Sequence, residues 1–160
     1  MSILTPMSQA SFSRYWQLAI KSYAEQNIRS GRWFADEAKV RSETEYRRLL
    51  PEGLATTNNY LFDILGDSDG LVVGATWVAL VEKAGVHGAF IYDIGIDEAY
   101  RKQGHGQRAM KEIELFALSL GMKTIGLHVF AFNRIAIDLY ESCGYRVTSL
   151  NMQKNLTADL

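Results

Sequence analysis

Between Ser8 and Ser30 the apolar residues Phe12, Tyr15, Trp16, Ala19, Ile20 and Tyr23 recur at helical spacing, which predicts a first helix ending near Ser30 and Gly31. A richly charged stretch from about Phe34 to Leu50 predicts a second helix, stopped by Pro51 and Gly53. Ahead of both, Ile3 to Pro6 is long enough only for a short strand. Tyr60 to Leu65 and Leu71 to Val81 then read as strands joined by a hairpin-type turn, Gly66-Asp67-Ser68-Asp69-Gly70. Glu82 to Gly88 turns the chain into a further strand, Ala89 to Ile96, in which the lone Gly95 marks a bulge or a close backbone approach. A helix from Gln107 to Leu120 buries Ala109, Met110, Ile113, Phe116, Ala117 and Leu120 and is capped by Gly121. With the strand Thr124 to Val129 it completes a right-handed parallel crossover. A last helix, Arg134 to Cys143, precedes a final strand from Tyr145 to about Lys154. The expected fold class is mixed α/β.

Composition narrows the picture. At 160 residues the chain is expected to form one domain, 1–160, around a single core. A net charge of −1 with 22% charged residues gives no footprint for nucleic acid or an anionic membrane surface. Cys143 is the sole cysteine, which excludes an internal disulfide and any CxxC metal site and fits a reducing compartment. The first ten residues lack a basic and an apolar region, and no apolar run reaches ~18 residues, so a cytoplasmic protein is expected. His87, His105 and His128 show no i,i+4 pairing, and no metal site is expected.

The chemistry concentrates in Arg101-Lys102-Gln103-Gly104-His105-Gly106, between the apolar strand and the amphipathic helix. Two glycines one residue apart let the backbone turn tightly and approach a ligand closely. The N–H groups of the opening helical turn, through Gln107, have no intrahelical partner and lie at the positive end of the helix dipole. Such a loop suits a pyrophosphate, with Arg101 adding a charged fork at the rim. Gly104 to Ala109 formally satisfies the dinucleotide pattern G-x-G-x-x-[GA], but the next strand, Thr124 to Val129, carries His128 and leads through Phe130 and Phe132 to Asn133 with no carboxylate at its end for a ribose. A nicotinamide-dependent oxidoreductase is therefore a remote alternative. A Walker-type loop would need Gly-Lys-[Ser/Thr], and the chain has none.

Arg101-x-x-Gly104-x-Gly106 resembles the Q/R-x-x-G-x-G/A motif of the GCN5-related N-acetyltransferases, which bind acetyl-CoA. Leu127-His128-Val129, Asn133, Ala136, Leu139-Tyr140 and Gly144-Tyr145 resemble that family's second signature, in the right order and one helix downstream. The match is good from about residue 60 to 154, and the chain is similar to small uncharacterised bacterial members. One departure is Glu98, where the family often has proline.

The resemblance implies a central, mostly antiparallel mixed sheet whose parallel central strands splay apart, with flanking helices. It implies that Ile94 and Ile96 offer backbone hydrogen bonds to the pantetheine arm, and that Arg101, Lys102, Gln103, Gly104, His105, Gly106 and Gln107 hold the pyrophosphate. Of His105, read as solvent-facing, only the backbone is expected to matter. Asn133 caps the last helix and touches the CoA arm. Tyr140 stands where many relatives use a phenol to protonate the departing CoA sulfur; its helical spacing equally suits a core aromatic. At the position of His128, the branch acting on protein N-termini has a basic glutamate, a task imidazole can perform near neutrality. Asp93 is the rival base. The first helices wall the acceptor site in this family, which brings in Tyr23, Trp33 and Phe34. The implied function is transfer of acetyl from acetyl-CoA to a primary amine by direct attack, with a non-catalytic acyl-CoA-binding module as the alternative. The partner is an amine acceptor, and a homodimer is compatible with the pattern.

Overall fold

The computed structural model describes residues 2–66, 70–83 and 86–157. Asp67, Ser68 and Asp69, the middle of the expected hairpin turn, lie outside the described residues, as do Ala84 and Gly85. The chain divides into two compact units: Met1–Tyr15 with Leu50–His128, and Trp16–Leu49 with Val129–Leu160.

The first unit is built on a five-stranded sheet in sequence order: β1 (Leu4–Pro6), β2 (Asn59–Leu65), β3 (Val72–Lys83), β4 (Val86–Ile96) and β5 (Ile125–Leu127). β1 to β4 pair antiparallel, and β5 runs parallel to β4 across the helix α3 (His105–Ser119). Side-chain alternation sorts the two faces of the sheet. Phe62 and Tyr60 meet Phe116 of α3 edge to face, and Ile64 and Val73 pack with Ala109 of α3, flanked by Ile94, Ile96 and Tyr100. Asp63, one residue out of phase with Phe62, points to the other face and receives the Ser11 hydroxyl at 2.6 and 2.8 Å. Ser11 belongs to the opening of α1 (Gln9–Arg29), where Ser8 caps by accepting the Ser11 N–H at 3.1 Å. Gly121, at φ +81°, ends α3 in a Schellman turn, Met122 N–H bonding Ala117 C=O at 3.0 Å.

In the second unit α1 continues and faces α2 (Ala35–Leu49). Ala24, Trp33 and Ala38 form the buried cluster, with Tyr23 edge-on to Trp33 and the buried Ser42 hydroxyl donating to Ile20 C=O at 2.7 Å. Trp33 is thus a core residue, also covered by Arg41, whereas Phe34 is exposed. α4 (Arg134–Ser142) follows Asn133.

Two expected strands differ. β5 is three residues long instead of six, and no strand forms from Tyr145 to Lys154. That last segment has apolar residues two apart at Tyr145 and Val147 and again, out of phase, at Leu150 and Met152, and Val147, Leu150 and Met152 are all exposed. Alternation makes a strand only where a neighbouring backbone supplies the ladder. Among the described residues no helix is long and apolar enough to cross a membrane.

Candidate functional site

The phase of β4 changes partway along, and that change builds the site. Trp77 pairs with Asp93 while Val78 pairs with Ile91, so Tyr92 is an extra residue, a β-bulge. Before it, Ala89 and Ile91 are buried; after it, Ile94 and Ile96 join the cluster under α3. A regular ladder would keep odd-numbered residues on the α3 face and drive Asp93 into the core. The bulge turns Asp93 to the opposite face, where Tyr15 of α1 donates its hydroxyl to the carboxylate at 2.8 Å. Burial raises the Asp93 carboxyl above its ordinary value, against the Tyr15 and Ile94 N–H hydrogen bonds that lower it. The bulge thus lies at Tyr92, not at Gly95, which pairs regularly with Ala75. Gly95 does take part in a close approach, but as the residue approached: a Cβ on Gly74 would overlap the Gly95 carbonyl, while one on Gly95 itself would meet open space.

The bulge is also where the parallel strands part. β5 pairs with β4 only from Ala89↔Ile125 to Ile91↔Leu127, and β4 runs on to Ile96. Asp97 N–H bonds Val73 C=O at 2.8 Å, which by antiparallel alternation points the Gly95 backbone at β3 and those of Ile94 and Ile96 toward the parted side. The Ile94 N–H is engaged by the Asp93 carboxyl, and the Ile96 carbonyl accepts Arg101 Nε at 2.9 Å. His128 follows directly on Leu127, beside this opening, and is exposed rather than buried in a strand.

Beyond β4 the chain makes a 3₁₀ turn, Glu98–Tyr100, closed by Tyr100 N–H to Asp97 C=O at 2.8 Å. Glu98 therefore sits in an ordered turn without the rigidity of proline. Lys102 (φ +62°) and Gly104 (φ +82°) are both left-handed, and Gly104 is the N-cap of α3. No side chain caps this helix and its first turn holds no acidic residue. Arg108 N–H bonds Gly104 C=O at 3.2 Å, so the N–H groups of His105, Gly106 and Gln107 precede the first intrahelical bond. Arg101, Lys102, Gln103, Gly104 and Gln107 are exposed and Gly106 is half-buried. His105 departs from expectation: its ring is buried, with Nδ1 2.8 Å from Arg108 Nη2, which also donates to Gln103 C=O at 3.2 Å. A guanidinium only donates, so Nδ1 is the acceptor and the ring carries its proton on Nε2. A Cβ on Gly104 would come within 3.0 Å of Arg108 Nη1.

In the second unit Asn133 caps α4, its side chain accepting the Ala136 N–H at 3.2 Å. Tyr140 is half-buried three residues from the helix end. Gly144 (φ +94°) closes another Schellman turn, Tyr145 N–H to Tyr140 C=O at 3.0 Å, and the Tyr145 ring comes to 6.2 Å of the Tyr140 ring. This contact between the residues at the two ends of the turn accounts for the spacing Tyr140-Gly144-Tyr145 on packing grounds alone. The helix cap accounts likewise for Asn133.

Residues 20–145 match the model of the acetyltransferase (GNAT) family. The chain is 36% identical over 155 residues to the uncharacterized N-acetyltransferase YycN of Bacillus subtilis, covering 96% of this chain and 98% of that protein. It is 35% identical to a second uncharacterized N-acetyltransferase of that bacterium, YdgE, covering 96% and 97%. The crystal structure of YycN superposes with a TM-score of 0.90 at 34% identity, over 96% of this chain and 98% of that one.

Proposed function

Because the chain belongs to the GNAT family of acetyltransferases, we propose that it transfers acetyl from acetyl-CoA to a primary amine within a ternary complex. The observation carrying this reading is the uncapped first turn of α3, entered through left-handed Gly104, beside a β4 whose far end is unpaired by β5. Donors without side-chain caps at the positive end of a helix suit a pyrophosphate, and a parted strand edge suits the amides of pantetheine. Arg101 to Gln107 would hold the pyrophosphate and Ile94 and Ile96 the arm. The chain is proposed to act as one catalytic domain in the cytoplasm, with Asn133 also contacting the CoA arm.

When bound, acetyl-CoA supplies an activated thioester and departs as a thiol. The protein must take a proton from the incoming ammonium and return one to sulfur. We assign the first task to Asp93, whose desolvated carboxyl is a stronger base than one in water and is held in place by Tyr15. His128, exposed beside the opening, is the alternative. Tyr140 has a phenol that keeps its proton at neutral pH and is assigned to the sulfur. Incubation with labelled acetyl-CoA and a broad amine panel, read by mass spectrometry, tests the reading; thermal stabilisation by CoA without labelling of any amine would leave only an acyl-CoA-binding module. With an active acceptor, Asp93 as base requires that the acidic limb of kcat/KM lie above the usual carboxylate range and survive His128→Gln. Loss of that limb in His128→Gln transfers the role to the imidazole.

Arg101→Ala is expected to weaken CoA binding by roughly 5- to 100-fold, the worth of a charge-assisted contact at an exposed rim, measured by calorimetry. Asp93→Asn carries a stability signature. A carboxyl whose folded pKa is raised stabilises the fold fully below its unfolded value, near 3.9, and loses that contribution as pH rises through the folded value. At neutral pH the buried charge is a net cost, so the asparagine variant is expected to melt higher than wild type at pH 7.5 and to lose that advantage near pH 4. Equal melting temperatures at both would mean that Asp93 is not desolvated.

A further inference from the structure

The bulge that turns Asp93 out of the core also displays a ring. Tyr92 lies on the indole of Trp77 with centroids 4.4 Å apart and planes 23° from parallel, and Phe90 meets it at 4.8 Å and 66°. Trp77 is 1% exposed and its indole N–H donates to Asn59 Oδ1 at 2.8 Å, so the lower layer of the stack is locked. Tyr92 is 37% exposed. Trp77 and Asp93 are direct cross-strand partners, whose side chains leave the same face of the sheet. The result is a rigid aromatic floor with one accessible ring, adjoining a carboxylate fixed by Tyr15. A ring buttressed from below offers its negative face to a cation, and a neighbouring carboxylate adds to that attraction.

We propose that the acceptor is bound as an ammonium ion, with its charge on the Tyr92 ring beside Asp93, so that this enzyme selects alkylamines protonated at neutral pH over neutral amines. The proposal rests on the transfer reading above and adds the substrate class. Tyr92 is its specificity-determining residue, contacting the acceptor, while Asp93 supplies both attraction and the site that receives the proton. The charge preference is a property of binding, so it is measurable without turnover.

The test is an amide-resolved NMR titration of the whole protein with choline and with its uncharged isostere 3,3-dimethylbutan-1-ol, which share shape and differ by one charge. Choline is expected to bind at least about tenfold more tightly and to move the Tyr92 and Asp93 amides. Tyr92→Leu is expected to bring the two ligands to parity, and Tyr92→Phe, which keeps ring and stack, to retain the preference. Equal affinities in the wild type, shifts remote from Tyr92, or a preference that survives Tyr92→Leu would each overturn the proposal. If Tyr92→Leu fails to fold, the wild-type shift map and Tyr92→Phe still decide. Failure of the transfer reading has a different signature: no amine is labelled by acetyl-CoA although choline still binds in preference. Amine labelling without any charge preference would sink the ammonium site alone.

Discussion

Gly106→Val is expected to abolish CoA binding, lowering affinity by at least about 100-fold while the protein stays folded, because a branched side chain would stand among the first-turn donors of α3. The loss is expected to be larger than that of Arg101→Ala. An arginine at the rim works in partial solvent, whereas the N–H groups of His105, Gly106 and Gln107 act together and depend on the ligand reaching the backbone. Valine also stiffens a turn entered from two left-handed residues, Lys102 and Gly104. The measurement is calorimetry with CoA, accompanied by a thermal melt to establish folding. Unchanged affinity in a folded Gly106→Val protein would remove the helix terminus from the account of cofactor binding. Gly104→Val would be the less informative substitution, since its φ of +82° and the Arg108 guanidinium beside it confound binding with strain.

Tyr140→Phe is expected to lower kcat by roughly 10²–10⁴-fold with little change in acetyl-CoA affinity, the pattern of a lost general acid. Phenylalanine keeps the ring that approaches Tyr145 and leaves intact the backbone turn through Gly144, so the Schellman turn at the end of α4 is preserved. That conservation of packing makes the substitution decisive: a helix-end anchor tolerates it, an acid does not. Steady-state kinetics on the true acceptor, with CoA affinity measured separately, reads the difference. Full activity in Tyr140→Phe would take the residue out of the chemistry and leave it a packing role.

Local pattern made much of the fold legible. The apolar stripe from Phe12 to Tyr23 and the stops at Pro51 and Gly53 located α1 and α2 within a residue or two, since helix periodicity and termination are encoded close by in sequence. Strands were legible only where a partner followed. β3 and β4 extend further into their hairpin than expected, to Lys83 and from Val86, whereas the segment from Tyr145 on has apolar residues two apart and forms none. The left-handed entry into α3 was legible because glycines announce unusual backbone.

The pairing of Tyr15 with Asp93 was harder to see. Tyr15 and Asp93 lie 78 positions apart, and no local rule pairs a tyrosine in an opening helix with an aspartate in the fourth strand. The bulge nevertheless left a trace: apolar core positions run odd through Ala89 and Ile91, then even through Ile94 and Ile96, a slip of one place that a regular strand cannot contain. Glycine is the commoner sign of irregularity, yet Gly95 pairs regularly with Ala75. His105 was misplaced for a different reason. A residue in a polar, glycine-rich loop suggests solvent, but here the ring is buried and the first helical turn brings Arg108 within 2.8 Å of its Nδ1.

The supernumerary Tyr92 makes the middle of β4 sensitive to where a residue is lost rather than to how many are lost. An in-frame loss of that one codon would delete no core residue and no loop glycine, and it would straighten the ladder while Asp93 stays opposite Trp77 and Ile94 opposite Thr76, so the parity of everything downstream would be kept. Loss of Ile94 instead would bring Gly95 beneath α3 and turn Ile96 away from Ile64 and Val73. A strand that accommodates a single-residue deletion at its bulge can therefore have no tolerance for one two places further on. Along a lineage, length changes within β4 would be expected to collect at Tyr92 and to spare the stretch from Ile94 to Ile96, whatever the acceptor chemistry becomes.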